Sequence, residues 1–310
     1  MERTASKIDR RGSIRRPTTW EGCDGAGSSG AIGASRRSDA MTAARPEPFT
    51  TALGRATVGS VFFAFPLLMT MEMWELGFHM DRVRLLIFLI AGTGLIFGLA
   101  FYAGFRETRG LRNEVLDTFA ALALGFGVSV VLLGLFGVYS LGEPLSASVG
   151  KTALQAIPAA MGAVLSRHQL TGATANEASD APGSTYAGEL FLMVAGALFI
   201  AFNVAPTEEM ILISFRMSLA QTLALAALSI VLLHLIVFSL GFAGQETHEG
   251  HVRAFIHFSI PGYAIALLVS LYVLWTFGRT DGLSPREIVS TMIVLGFPAA
   301  LGAALARLVV

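Results

Sequence analysis

Long runs of apolar residues, separated by short polar segments, recur from residue 56 to the end of the chain. A helix needs roughly twenty apolar residues, at about 1.5 Å each, to cross a bilayer. The pattern predicts an all-α membrane protein with about eight transmembrane helices. The fourth is the weakest because Lys151 and Arg167 bracket only fifteen residues, so six or seven spans stay open. The predicted spans are residues 56–76, 85–105, 115–138, 152–166, 187–205, 218–243, 254–277 and 287–306.

Composition supports a membrane location, since 54% of the 310 residues are hydrophobic and 14% are charged. The formal net charge is zero, but ten of the 22 Lys and Arg residues lie before position 58. A basic tail of this kind indicates a lipid bilayer as partner and not a nucleic acid. By the positive-inside rule, it places both termini in the cytoplasm of a multi-pass plasma-membrane protein.

Residues 1–50 lack apolar periodicity and are predicted to be a disordered cytoplasmic tail. Met41 offers an alternative start of translation, in which case the first forty residues would not be part of the protein. The single cysteine, Cys23, has no intrachain partner for a disulfide or a multi-cysteine metal site.

One segment of the sequence recurs about 140 residues later. "IPAAMGAVLSR" (157–167) matches "FPAALGAALAR" (297–307) at seven of eleven positions. A polar linker (168–186) divides the chain into a first repeat (51–167) and a second (187–310), each predicted to hold four spans. Four is an even number, so the repeats would be parallel, related by an axis along the membrane normal. Chance recurrence of Ala, Gly, Leu and Phe in apolar helices is the alternative to duplication.

Pro158 and Pro298 fall at corresponding places inside the fourth and eighth spans. Because proline removes a backbone donor, both helices are expected to kink or break at mid-depth. Matched interrupted helices indicate a midplane site in transporters. The alternative is that Gly162 and Gly302 only permit close helix packing.

The first span runs into "TMEMWELGFHMDR", where Glu72, Glu75 and His79 are spaced to share one helix face. This stretch, and the chain from about residue 50 onward, is similar to a bacterial family of multi-pass integral membrane proteins of unknown function. The resemblance implies a membrane protein and brings no established functional residue.

A second acidic segment follows Asn203 and Pro206, at Glu208 and Glu209. We expect Glu72 and Glu209 to face the interior at the outer membrane boundary, where paired acids would attract cations or protons. The alternative is that these acids are solvated beyond the end of a span.

His234 lies inside the sixth span and is a candidate proton relay, or else a neutral histidine bonded to a neighbouring helix. In the next loop, His248, His251 and Glu249 are weak candidates for a zinc site, against a solvated loop.

No catalytic motif and no cofactor-binding motif is found, since "SVGKT" lacks the first glycine of a phosphate loop at Leu145. The leading hypothesis is a transporter or channel for a small solute or ion, with a cation or proton favoured. The alternative is a membrane scaffold or sensor that moves nothing. A homo-oligomer is compatible with either.

Overall fold

The computed structural model describes residues 49–103, 111–140, 142–169, 185–239 and 255–309. Within these ranges all regular secondary structure is helical, which confirms the predicted all-α class. Most of the predicted tail and linker lie outside the described residues, as do His248, Glu249 and His251. The helices are α1 (Phe49–Leu68), α2 (Met71–His79), α3 (Arg82–Ala103), α4 (Leu111–Leu135), α5 (Leu145–Gln169), α6 (Tyr186–Val204), α7 (Glu208–Arg216), α8 (Leu219–Ser239), a π-helical turn (Phe255–Ser259), α9 (Ile260–Thr276) and α10 (Pro285–Val309).

Seven helices in the described part of the chain are long and apolar enough to cross a membrane, one fewer than the eight predicted. The missing one is α5, which is long enough, at 25 residues, but not apolar enough. It packs against α1, α2, α3 and α4, and residues 152–164 are all buried. A helix enclosed by protein needs less apolar surface than one that faces lipid, which explains why this span looked weak in the sequence.

The predicted first span is too long at its end, because α1 ends at Leu68 and a separate helix, α2, begins after Thr70. Thr70 has extended backbone, and its hydroxyl donates to the Leu67 carbonyl at 2.9 Å. The Trp74 indole donates back to the Leu68 carbonyl at 3.0 Å, so α2 is held against the end of α1. The Glu-rich motif therefore lies on its own short helix.

The second half of the chain shows the same arrangement at α6 and α7. Thr207 has extended backbone, and its hydroxyl donates to the Val204 carbonyl at 2.8 Å. Like α2, α7 buries one side, at Met210 and Ser214, and exposes apolar side chains such as Phe215 on another. Short amphipathic helices of this kind suit the membrane–water interface. We call the end of the bundle that carries α2 and α7 the α2 end.

Of the expected kink or break at Pro158 and Pro298, the break is wrong, since α5 and α10 each continue through their proline as one helix, and the kink stays a prediction. Proline removes a single N–H donor, and the packing of the surrounding turns maintains the helix across that gap. Pro158 is buried and Pro298 is half-buried.

Two helix crossings bring glycine backbones into contact. A Cβ atom built on Gly162 of α5 would lie 2.2 Å from the carbonyl oxygen of Gly59 in α1. A Cβ atom built on Gly196 of α6 would lie 2.2 Å from the carbonyl oxygen of Gly302 in α10. Only glycine permits so close an approach of two helices at these positions.

Aromatic side chains fill the interface between the two halves. Phe88 of α3 is 1% exposed, and its ring centroid lies 5.3 Å from that of Phe202 and 6.3 Å from that of Phe277. Nearer the other end of the bundle, the Tyr102 ring stacks on Phe191 with centroids 5.1 Å apart. Among the described residues, this part of the contact between the halves is therefore apolar.

An ion pair joins the halves at the α2 end. The Arg84 guanidinium donates to both carboxylate oxygens of Asp281 at 2.8 Å, and it lies over the Trp275 ring at 5.3 Å. The Asp281 side chain is 59% exposed, so water screens the pair.

We expect Asp281→Asn to lower the free energy of unfolding by no more than about 1 kcal/mol, and by less at high salt. Hydrogen bonding to Arg84 lowers the pKa of the Asp281 carboxyl. The stabilisation is therefore complete above the unfolded-state pKa and disappears as the pH falls through the folded-state value. Thermal unfolding in detergent at two salt concentrations measures it, and an equal loss at both would contradict an electrostatic origin.

Candidate functional site

A line of buried polar side chains follows one side of α5. Lys151, Gln155 and Ser166 share this side because they are spaced by whole helical turns, and Pro158 and Gly162 lie between them. Gln155 is 2% exposed and Ser166 is 6% exposed. At about 1.5 Å per residue, the line extends roughly 22 Å, most of the way through a bilayer. We call Lys151, Thr152, Gln155 and Ser166 the α5 polar stripe.

The stripe begins at the α2 end with a buried ion pair. The Lys151 ammonium donates to Glu143 Oε2 at 2.9 Å and to the Val138 carbonyl at 3.2 Å. The side chains are 12% exposed for Lys151 and 6% for Glu143. The Ser140 N–H also donates to Glu143 Oε2, whereas Oε1 is buried without a hydrogen-bond partner.

Charge and burial oppose each other at Glu143. The hydrogen bond from Lys151 lowers the pKa of the Glu143 carboxyl, burial raises it, and the Ser140 N–H lowers it again. The net shift is downward, so the carboxyl is ionised at neutral pH and forms an ion pair with the ammonium.

Neutral groups continue the stripe inward. The hydroxyls of Tyr139 and Thr152 are 2.7 Å apart, and the Thr152 hydroxyl also bonds the Ser148 carbonyl. One turn deeper, the Gln155 amide donates to the Ala64 carbonyl of α1. These bonds link α5 to both the loop that precedes it and α1.

Ser60 of α1 adds a free polar atom near the middle of the stripe. It is fully buried, and its hydroxyl has no hydrogen-bond partner. The α1–α5 contacts at Ala64–Gln155 and Gly59–Gly162 place Ser60 between Pro158 and Gly162 in depth. Because Pro158 has no N–H, the carbonyl one turn before it lacks its usual helical donor.

Helix α2 covers the stripe at its charged end. A Cβ atom on Gly77 would lie 2.6 Å from the Lys151 backbone nitrogen, and one on Gly150 would lie 2.1 Å from the Gly77 carbonyl oxygen. Glycine at both positions lets α2 lie directly against the start of α5.

The chain matches one family over most of its length. Residues 52–310 match the family described as "Putative integral membrane protein (DUF2391)". The chain belongs to this family. It is therefore an integral membrane protein with several membrane-spanning helices, as the apolar pattern and the TMEMW motif predict. No curated protein and no solved structure matches it.

The acids predicted to line an entrance lie on the two short helices of this DUF2391 protein. Glu72 is half-buried on α2, and Glu75 and His79 are exposed. Glu208 and Glu209 occupy the first turn of α7 and are both exposed. On α7 the buried residues are Met210 and Ser214, and the expectation that Glu72 and Glu209 face the interior stays a prediction.

Asn203 and His234 are each bonded within the second half. The Asn203 amide donates to the Phe199 carbonyl at 2.6 Å, and its Oδ1 atom is buried without a partner. His234 Nδ1 lies 2.9 Å from the Ser259 hydroxyl in the π-helical turn. The structure brings neither residue to the α5 polar stripe.

Glu143, Gln155 and Ser60 of the DUF2391 chain were not among the residues predicted from sequence. Glu143 bonds Lys151, and Gln155 bonds Ala64 across 91 positions, whereas Ser60 is buried without a hydrogen-bond partner. The available signal was the spacing of polar and small residues along α5, at 151, 155, 158, 162 and 166.

Proposed function

We propose that the protein is a transporter or channel that moves a small solute or ion, with a cation or proton favoured, along the α5 polar stripe. The buried line from Lys151 to Ser166 supports this proposal, because buried polar groups are costly in a membrane and mark substrate or ion pathways. In this proposal α5 is an eighth membrane crossing, the termini are cytoplasmic and the protein lies in the plasma membrane.

A tandem duplication accounts for the two similar halves. The Gly59–Gly162 and Gly196–Gly302 crossings support it, because corresponding glycines make corresponding contacts. In the second half, the positions aligned with Gln155 and Ser60 hold the apolar residues Leu295 and Ala197, and the position aligned with Lys151 holds Thr291, whose hydroxyl lies 2.9 Å from that of Ser214. We propose that the first half transports and the second half supports it.

The test is flux through purified protein in liposomes, assayed for cations, anions and protons. Gln155→Leu introduces the residue that the second half carries, and leaves the Ala64 carbonyl without its donor. We expect flux to fall by a factor of roughly 5 to 150, as loss of about 1–3 kcal/mol of polar stabilisation would give.

Ser270→Ala is the matched control, since Ser270 is fully buried but bonds only the Ala266 carbonyl of its own helix. It is expected to retain flux. Equal flux in Gln155→Leu and wild type would exclude the stripe as the path.

A membrane scaffold or sensor is the second candidate, and the aromatic interface between the halves favours it. Phe88 and Phe202 are buried there, so the described contact between the halves is apolar at this depth. If the wild-type protein transports none of the cations, anions or protons in the liposome assay, the result favours this alternative.

A further inference from the structure

We infer that Glu143 and Lys151 form a proton-exchange site, and that the species moved along the α5 polar stripe is the proton. This inference rests on the proposed function and specifies its substrate. It follows from three features of the site: a buried pair of opposite charges, an unpartnered carboxylate oxygen and a neutral hydrogen-bonding group on the inner side.

The Glu143–Lys151 pair can gain one proton and lose it again. Glu143 Oε2 already accepts from Lys151 and from the Ser140 N–H, but Oε1 is buried and free. A proton can therefore add at Oε1 without displacing an existing donor. A carboxylate left with a free oxygen in a buried position is a costly arrangement unless that oxygen is used.

The charges exclude a metal cation as the transported species. The Lys151 ammonium lies at the start of the stripe and repels a second positive charge, while it compensates the only carboxylate bonded to it. Two surface grooves of the described chain, one beside Trp275 and one beside Phe62, are apolar and are not lined by stripe residues. A hydrated ion needs a polar cavity, whereas a proton needs only hydrogen-bonding groups and water.

The exchange conserves protons at each step. A proton from the α2 end binds Glu143 and gives a neutral carboxylic acid beside the Lys151 ammonium. Without its counter-charge, the buried ammonium releases one proton to a water molecule on the side of the Thr152–Gln155 segment, and that water carries the proton away as hydronium. The Glu143 proton then passes to the neutral Lys151 amine, and the original ion pair re-forms after one proton has crossed.

Few other ionisable groups surround the pair. Tyr139 lies in the same loop, with its hydroxyl bonded to Thr152. On α2, which covers the site with Gly77, Glu75 and His79 are exposed and Glu72 is half-buried. α1 meets the stripe with Ala64, Gly59 and Ser60, which do not titrate. The pair is therefore the main titrating unit at this end of the stripe.

The experiment measures proton flux into liposomes that contain a pH-sensitive dye, driven by a potassium diffusion potential. We expect Glu143→Gln and Lys151→Met each to reduce proton flux by about 100-fold, the typical contribution of a positioned proton-transfer group. Wild-type flux should increase as the pH at the α2 end falls, because more Glu143 is then protonated.

Asp281→Asn is the matched control, because it removes an acid from an ion pair in the corresponding loop of the second half. It should keep wild-type proton flux. The double variant Glu143→Lys/Lys151→Glu restores opposite charges and should fold even if a single variant does not, with part of the flux recovered.

The outcomes separate the two proposals. Loss of flux in the pair variants with retention in Asp281→Asn supports the exchange site. A wild-type protein that carries another solute but no protons, or pair variants that keep proton flux, would overturn the inference and leave transport standing. A wild-type protein that moves nothing overturns the proposed function, and the inference with it.

Discussion

Gly162→Val is expected to separate α1 from α5 and to lower the free energy of unfolding by at least about 3 kcal/mol. The side chain would begin 2.2 Å from the Gly59 carbonyl oxygen and 2.7 Å from the Phe63 Cβ atom. Backbone atoms cannot move aside as a side-chain end can, so the two helices must separate along their length.

Gly302→Val should have a similar effect on α6 and α10, because its Cβ atom would lie 2.4 Å from the Gly196 carbonyl oxygen. Thermal unfolding in detergent, followed by circular dichroism, measures both variants. Gly94→Val is the control, since Gly94 of α3 has no atom within 4 Å of its Cβ position. If Gly162→Val and Gly94→Val melt at the same temperature, the close crossing does not hold the helices together.

Apolar run length was sufficient to predict the fold class, because a bilayer imposes one length on every crossing helix. The same rule misplaced the end of the first span. Met71 and Met73 extend the apolar run beyond Leu68, but the chain turns at Thr70, whose extended backbone is not visible in hydropathy. The turn places Glu72 on a separate helix.

A helix break at either proline was wrong for a related reason. Proline has a known effect on an isolated helix, but Pro158 lies in a segment buried on all sides. Packing by α1, α3 and α4 determines the path of α5 more than the single missing hydrogen bond does.

The site was harder to predict than the fold because its members are distant in sequence. Lys151 was recognised only as an end of a short span, whereas its partner Glu143 lies in a loop and Gln155 bonds α1. The exposed acids of α2 and α7 were easier to see, since charge clusters stand out in an apolar chain. Burial distinguishes the residues of the α5 polar stripe and Glu143 from these exposed acids, and a single sequence does not reveal burial.

The Glu143–Lys151 pair should also control stability in a way that depends on pH. Lys151→Met leaves the Glu143 carboxylate 6% exposed without its counter-charge. We expect a loss of roughly 1–3 kcal/mol at neutral pH, less than for a pair deep in a core, because Glu143 lies in a loop near the membrane surface. Glu143→Leu/Lys151→Met, which removes both charges, should regain most of that loss.

The contribution of Glu143 to stability should depend on pH with opposite signs in the wild type and in Lys151→Met. In the wild type, the pKa of Glu143 is lowered by Lys151, so the pair's contribution is complete above the unfolded-state pKa of about 4.3 and is lost as the pH falls through the folded-state value. In Lys151→Met the largest lowering cause is absent, and burial, which raises the pKa, outranks the remaining Ser140 hydrogen bond, so protonation at acid pH removes the buried charge. The variant should therefore approach wild-type stability as the pH falls from about 7 to about 4.

Unfolding measured in detergent across this range tests the argument. A constant difference between wild type and Lys151→Met at every pH would show that the ammonium only fills space. Glu143→Gln then decides whether the carboxylate is responsible. A neutral amide does not titrate, so the variant should remove the pH dependence of stability both with Lys151 present and with Met at position 151. If that dependence persists in Glu143→Gln, another titrating group, with half-buried Glu72 of α2 the first to examine, is its source.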